Sequence, residues 1–332
     1  MTRPRVLLTN AIDPIGERIL EAAADIVRAP DAQPATLNAM VGQADLLVVR
    51  AFLPPDIFDH PNRLRGVVRH GVGLDMIPME SATAHGIPVA NVPGSNAEAV
   101  AEYAVTGMLL IARGVHLMDR DLRSTDWPIA RKHSDASTEL RGRMLGVIGM
   151  GNVGVRVAEI CSAAFRMRVL GTASRSKPLP SFVESASLER IFMESDFILL
   201  SCPLTPETRH LVNATRLALM KPSAALINAA RGPVIDEEAL IEALQARRIR
   251  GAVLDVFDKQ PLARDHPFLA LDNVVLTPHA AGITEESMKN MSRGAAEEAV
   301  RLLRFERPAS LCNPEVWDKH LQRFAAERGM RA

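Results

Sequence analysis

Cysteine is scarce in this 332-residue chain: Cys161, Cys202 and Cys312 are the only three, and none forms a C-x-x-C pair. That spacing excludes a disulfide framework and a cysteine zinc site, and it fits a reducing cytoplasm. Net charge is absent too, because 39 lysines and arginines balance 39 aspartates and glutamates. The electrostatic footprint of a general nucleic-acid or acidic-membrane binder is therefore missing. The longest apolar run, Ala99 to Ala112, is interrupted by Glu102 and Tyr103 and is too short to span a bilayer. Met1-Thr-Arg-Pro-Arg5 leads straight into Val6-Leu-Leu-Thr9, without the apolar segment or cleavage site of a secretory signal. Repeats and low-complexity tracts are also missing. These absences predict a soluble, cytoplasmic protein with no metal site and no nucleic-acid or membrane partner.

What is present is ordinary globular material, 47% hydrophobic and 23% charged, in a chain long enough for two domains. Short apolar runs alternate with amphipathic stretches. Val6–Thr9, Leu46–Val49, Val67–His70 and Pro88–Asn91 read as buried strands. Pro14–Ala24, Thr36–Val41 and Pro78–His85 read as helices between them. A long helical pattern runs from Asn96 to about Leu122, followed by a polar, irregular stretch through Trp127-Pro128 and Asp135. Strand-like runs then resume at Met144–Ile148, Arg168–Leu170, Phe197–Leu200, Ala225–Ile227, Ala252–Leu254 and Val274–Leu276. Helices such as Val153–Phe165 and Glu237–Ala246 lie between them, and Glu285–Arg304 returns to helical periodicity. This βαβ alternation predicts an α/β fold of parallel sheets covered on both faces, the second with the six strands of a doubly wound dinucleotide sheet. The segment from Phe324 to Ala332 is poor in apolar residues and is expected to fray.

Gly149-Met-Gly151-Asn152-Val153-Gly154 matches G-x-G-x-x-G. Alone the pattern is weak, and a ligand-free glycine turn would look the same. Here it follows a strand and opens a helix, the context of a dinucleotide site. The first glycine permits the tight turn, the second lets backbone approach a pyrophosphate, and the third allows close helix–strand packing. The phosphates then meet the helix N-terminus, where free N–H groups favour anions. An NAD site usually places an acidic residue about 20 residues on, at the next strand end. This chain has Thr172-Ala-Ser174-Arg175-Ser176-Lys177 there, with no carboxylate until Glu184. A hydroxyl followed by Arg suits a 2′-phosphate, so NADP(H) is expected in preference to NAD(H). An ordinary basic loop that leaves NAD(H) usable is the alternative.

At this point the chain resembles the D-isomer-specific 2-hydroxyacid dehydrogenase family along nearly its whole length. The resemblance is carried by His70-Gly-Val-Gly-Leu-Asp75, Asn91-Val-Pro-Gly-Ser-Asn-Ala97 and Leu140 through Gly154. Downstream come Pro203-Leu-Thr-Pro-Glu-Thr208, Asn228-Ala-Ala-Arg-Gly232, Leu254-Asp-Val-Phe257 and Thr277-Pro-His-Ala-Ala-Gly282. It implies a Rossmann dinucleotide-binding domain (99–284) inserted into a discontinuous, flavodoxin-like substrate domain (1–98 and 285–332), and a homodimer. It also implies hydride transfer between the cofactor and a small 2-keto or 2-hydroxy acid.

Reducing a 2-keto acid needs a cation on the carboxylate and carbonyl, and an acid for the developing alkoxide. Arg231, beyond the strand Ala225–Ile227, resembles the family's substrate-binding arginine, although a turn arginine paired with Asp236 would read alike. His279 resembles the proton donor. Val72 and Gly73 look like the backbone cradle for the carboxylate, or a simple tight turn. Arg50 and Phe52 fall in the loop that resembles the contact to the substrate's far end. The resemblance places Asn152 and Val153 on the pyrophosphate, and Cys202, Pro203 and Thr208 on the adenosine side. It adds Ala229, Ala230 and Gly282 to the cofactor contacts. Asp255 resembles the residue meeting the nicotinamide carboxamide, though a strand-end aspartate could equally cap Arg or backbone.

One catalytic position departs from the family. Its glutamate before the proline, behind the histidine, is here Gln260 in Asp255-Val-Phe-Asp-Lys-Gln260-Pro261. Gln260 can orient the ring but offers no charge, and Asp258, two residues upstream, should point elsewhere. Formate dehydrogenases, which are relatives, also carry glutamine here, so formate oxidation is a second reading. A dinucleotide-sensing binding protein, like the corepressors of this fold, is a third. The absence of long disordered tails and of a basic face argues against it.

Overall fold

The computed structural model describes residues 3–172 and 178–325. It begins with β1 (Arg5–Leu8), α1 (Pro14–Glu21), β2 (Asp25–Arg28), α2 (Pro34–Val41), β3 (Leu46–Val49), β4 (Val67–Arg69), α3 (Met79–Ala84) and β5 (Val89–Ala90). Three helices follow, α4 (Ala97–Arg113), α5 (Val115–Ser124) and α6 (Trp127–Lys132). The second alternation starts with β6 (Met144–Ile148), α7 (Asn152–Phe165), β7 (Arg168–Gly171), β8 (Val183–Ser185), α8 (Leu188–Glu194) and β9 (Phe197–Leu200). It continues with α9 (Ala214–Leu219), β10 (Ala225–Asn228), α10 (Glu237–Gln245), β11 (Gly251–Leu254) and β12 (Val274–Leu276). Helices α11 (Glu285–Leu303) and α12 (Trp317–Arg323) come last among the described elements.

These elements form two compact units. One runs up to Asn96 and resumes at Ile283, and the other is Ala97–Gly282. The first holds a five-stranded parallel sheet in the order β2-β1-β3-β4-β5, a flavodoxin-like order. Alternate residues of its strands face opposite sides. Val6 and Leu8 pack with Leu46, Ala295 and Ala299 on one face, and Leu7 packs with Leu47, Leu37 and Val41 on the other. Because both faces are covered, β3 reads as the unbroken apolar run Leu-Leu-Val-Val. Helix α1 is started by Asp13, whose side chain accepts from the Ile15 N–H at 2.9 Å, and it lies close along α11. Thr284 and Ser287 form a reciprocal capping box at the start of α11.

The second unit carries a seven-stranded parallel sheet in the order β12-β11-β10-β9-β6-β7-β8. Counted from β6, this is the 3-2-1-4-5-6 Rossmann order with one further strand at the β12 edge. Leu145 and Val147 face Ala104, Met108 and Val157 of α4 and α7. Met144 and Ile148 face Phe192, Leu217 and Leu240 of α8, α9 and α10.

The differences from the sequence reading have local causes. The second sheet has seven strands, not six, because β8 is a three-residue edge strand with only Val183 buried. Edge strand β2 likewise has charged ends and no fully buried residue. The helix expected from Asn96 to about Leu122 breaks at Gly114, which takes φ +63°, and the two pieces meet at 62°. The stretch after it is partly helical: Asp126 caps α6 by accepting from the Ile129 N–H at 2.9 Å. Phe324, expected to fray, is buried against Phe305 and His320. Among the described residues no single helix is long and apolar enough to cross a membrane.

Candidate active site

Strand β6 is buried throughout and delivers the glycine loop at its C-terminal end. Gly149 turns away with φ +102°, and a Cβ there would lie 2.4 Å from the Cys202 nitrogen. A Cβ on Gly154 would lie 2.2 Å from the Gly149 oxygen, so α7 presses directly on the loop. Gly151, the residue capping α7, faces open space, with nothing within 4 Å of an added Cβ. The loop is thus tight on two sides and open on the third, which fits the approach of a pyrophosphate. Asn152 and Val153 begin α7 and present N–H groups without helical partners at this opening. The Ser201 hydroxyl donates to the Gly149 carbonyl at 2.7 Å. Beside it Cys202 is buried, and the Thr208 hydroxyl donates to the Pro203 carbonyl at 2.7 Å, closing that turn. Ser174, Arg175 and Ser176 lie outside the described residues.

Arg231 leaves the end of β10 on a turn braced by Asn228, which is fully buried. The Asn228 amide donates to the Arg231 carbonyl at 3.0 Å, and its oxygen accepts from the Ala230 N–H at 3.0 Å. Ala229 lies within this turn. Gly232 packs so tightly that a Cβ would sit 2.0 Å from the Phe257 backbone. The turn holding Arg231 is therefore seated against the segment leading to Gln260. Asp236 caps α10 by accepting from the Ala239 N–H at 3.2 Å.

His279 is exposed at the end of the turn after β12, with φ +56°. Its Nδ1 lies 3.0 Å from Gln260 Oε1, and Gln260 Nε2 donates to the Phe257 carbonyl at 3.4 Å. With the amide so oriented, Gln260 accepts from Nδ1–H, which places the proton of the neutral ring on Nδ1. Asp258 is exposed, and its backbone N–H donates to Glu237 at 3.1 Å. The His266 Nε2–H donates to the same carboxylate at 3.0 Å, so Glu237 ties down both flanks of the Gln260 loop. Asp255 is 2% exposed. Its carboxylate accepts from the Thr277 hydroxyl at 2.6 Å, the Ala280 N–H at 2.7 Å and the Ala281 N–H at 2.9 Å. Gly282 follows directly. These bonds cap the backbone of the 277–281 turn.

In the other unit, β3 and β4 end at a cluster of basic side chains. The Arg50 N–H donates to the Thr9 hydroxyl at 2.9 Å, and the Arg50 guanidinium donates to the Ala11 carbonyl. Phe52 is 67% exposed. Arg69 braces the following loop, donating to the Gly73 carbonyl at 3.0 Å and the Val49 carbonyl at 3.0 Å. Among the described residues the backbone N–H groups of Val72 and Gly73 have no acceptor. Between the arginines, His70 is buried and its Nε2 lies 2.7 Å from the Ser292 hydroxyl. Burial first, then the charges of Arg50 and Arg69, push its pKa down to about 3, so it stays neutral. The same positive field favours an anion near Val72 and Gly73.

A model of the NAD binding domain of D-isomer-specific 2-hydroxyacid dehydrogenases matches residues 105–281. A glyoxylate reductase from Aeropyrum pernix is 39% identical over 95% of this chain and 98% of its own. This chain belongs to the D-isomer-specific 2-hydroxyacid dehydrogenase family. A hydroxypyruvate reductase from Thermotoga maritima is 35% identical over 91% of this dehydrogenase and 99% of its own chain. The solved structure of an NADPH-dependent glyoxylate/hydroxypyruvate reductase from Sinorhizobium meliloti, in complex with NADP and malonate, superposes with a TM-score of 0.82. It is 28% identical and covers 94% of this chain and 98% of its own.

Within the nucleotide-binding unit of this dehydrogenase, Arg231, Gln260, His279 and the glycine loop all lie at the C-terminal ends of strands, where such sheets bind ligands. A cavity of about 500 Å³ in the same unit, touching Lys132, Arg250 and Asn273, lies at the opposite, N-terminal ends. Sequence reasoning missed Asn228, Glu237, Tyr103 and Thr277 as supports of the site, and Arg69 in the other unit. Asn228 and Thr277 stand inside quoted motifs, but nothing local marks them as braces. Among the described residues no group of three His, Cys, Asp or Glu side chains could hold a metal ion.

Proposed function

We propose that this NAD(P)-dependent 2-hydroxyacid dehydrogenase reduces a small 2-keto acid of the glyoxylate or hydroxypyruvate class, with NADP(H) preferred. The observation that carries the reading is the His279–Gln260 hydrogen bond at 3.0 Å, which orients the imidazole at the same strand ends that carry Arg231 and the glycine loop. Bound at the glycine loop, the reduced nicotinamide supplies the two electrons and the hydrogen that the keto carbon gains. Arg231 offers paired N–H groups to the carboxylate and the carbonyl oxygen, stabilising the negative charge that gathers there. His279 gives its Nε2 proton to that oxygen, while Nδ1–H stays on Gln260, so the neutral tautomer is set in advance. In the other unit, the Val72 and Gly73 N–H groups are assigned a carboxylate, and Arg50 and Phe52 the remainder of the substrate. NADP(H) preference is supported by the Ser174-Arg175-Ser176 sequence and by the NADP complex of the Sinorhizobium relative. We assign the enzyme to the cytoplasm as a homodimer on the family resemblance and composition.

The neutral Gln260 also suits formate oxidation, which needs no acid or base. Cofactor absorbance with glyoxylate, hydroxypyruvate and an arylpyruvate, then with formate and oxidised cofactor, separates the two. Turnover of formate without keto-acid reduction would overturn the proposal.

A further inference from the structure

Asp255 does more than end β11. A carboxylate only accepts, so the 2.6 Å contact from Thr277 Oγ1 to Asp255 Oδ1 fixes the threonine hydroxyl as the donor. The lone pairs of Thr277 Oγ1 are then left to accept, and its other partner is the Tyr103 phenol at 2.6 Å. The direction of the chain is thereby set: Tyr103 donates to Thr277, and Thr277 donates to Asp255. The same carboxylate takes the N–H groups of Ala280 and Ala281, and the Asp255 carbonyl takes the His279 N–H at 2.8 Å. His279 is thus flanked on both sides by bonds to one residue.

The clamp suits a histidine at φ +56°, which is held in the left-handed region that L residues rarely adopt. Tyr103, the chain's single tyrosine, sits on α4. Four residues on, Gly107 brings α4 so near β11 that a Cβ would lie 2.7 Å from Val253. The helix is therefore a rigid platform for the phenol. Burial raises the Tyr103 pKa to about 12, with the Asp255 charge adding to the rise, so the phenol keeps its proton at physiological pH.

We propose that Tyr103 is a positioning residue for the proton donor: through Thr277 and Asp255 it fixes the 277–281 turn and hence the place of the His279 ring. This rests on the reading of His279 as the acid in keto-acid reduction. The Tyr103 phenol bonds to Thr277 and not to the imidazole, so its effect is on geometry, to which proton transfer is steeply sensitive.

The test uses the full-length enzyme and the variants Tyr103→Phe, Thr277→Val and Thr277→Ser. Two quantities are read: amide hydrogen exchange of the 277–282 segment without substrate, and kcat and KM for glyoxylate reduction. Tyr103→Phe should speed exchange at Ala280 and Ala281 while amides of β6 and β10 keep their rates. It should lower kcat by about five- to twentyfold with the cofactor KM within about twofold, as a misplaced acid and not a lost binding contact requires. Thr277→Val should fall at least as far, and Thr277→Ser, which keeps the hydroxyl, should recover most of both. Unchanged exchange in Tyr103→Phe would overturn the link. So would faster exchange with unaltered kcat, since the contact would then be structural only. A failure of the unmutated enzyme to reduce any keto acid would instead strike the reading of His279, and the exchange measurement still decides the Tyr103 link.

Discussion

Gln260→Glu restores the carboxylate that the family places behind its histidine, and its effect follows from one distance. His279 Nδ1 lies 3.0 Å from Gln260 Oε1, so the variant sets a unit negative charge beside the imidazole with the ring still held. A pair of unit charges about 4 Å apart interacts by about 1 kcal/mol in water and about 4 kcal/mol at an effective dielectric of 20. His279 is exposed, so solvent screening keeps the gain near the lower figure. A stabilisation of about 1–2 kcal/mol for the protonated ring corresponds to roughly one pH unit. The sign is fixed by the chemistry. The acid must be protonated to work, and the new charge favours the protonated form. The falling limb of the rate for keto-acid reduction should therefore move upward by about one pH unit in Gln260→Glu. The assay is the pH dependence of kcat/KM for glyoxylate reduction in both proteins, with His279→Ala as the inactive control. Superimposable profiles would refute the reasoning, because they would remove either the proton from His279 or residue 260 from its reach. A profile that moves to lower pH would contradict the electrostatics outright.

Arg231→Lys keeps the charge but loses the planar two-point grip, so catalytic efficiency should fall about tenfold or more, a barrier rise of about 1.4 kcal/mol. Near-normal turnover of the variant would reduce Arg231 to a turn residue. The unmutated enzyme should prefer NADPH over NADH in kcat/KM, and Arg175→Ala should weaken NADPH alone by about 1.5–3 kcal/mol; equal efficiency with both cofactors before mutation rules this out. Gly154→Ala sets a Cβ 2.2 Å from the Gly149 oxygen, so α7 must move away from the loop. Thermal unfolding should show a loss of about 1–3 kcal/mol, with weaker cofactor binding by fluorescence titration. An unaltered melting temperature and affinity would show that the loop yields cheaply.

The elements legible in the chain were those whose signal is local. Strands buried on both faces, such as Leu46–Val49 and Met144–Ile148, are written as continuous apolar runs and need no partner to be recognised. The glycine loop is legible for the same reason, since turn, approach and contact each call for glycine at a fixed spacing within one strand–helix junction. Two edge strands escaped because they bury too little to leave an apolar run: Val183–Ser185 has a single buried side chain, and Asp25–Arg28 has none. The helical pattern beyond Asn96 could be read, but not its break, because Gly114 is tolerated inside a helix and its φ of +63° emerges only on folding.

Within the site, residue types and the family resemblance together singled out the candidates: a cation at one strand end, an imidazole at another, and a glutamine where the family has a carboxylate. Their support came from folding alone. Asn228 looks like any strand-end amide until both of its polar atoms close the Arg231 turn. Tyr103 interrupts an apolar helix, and its partner Thr277 lies 174 residues away. No local pattern couples two such positions. Helix α4, packed along β11, brings the phenol to the threonine, and the buried Asp255 carboxylate, able only to accept, orders the hydrogens between them.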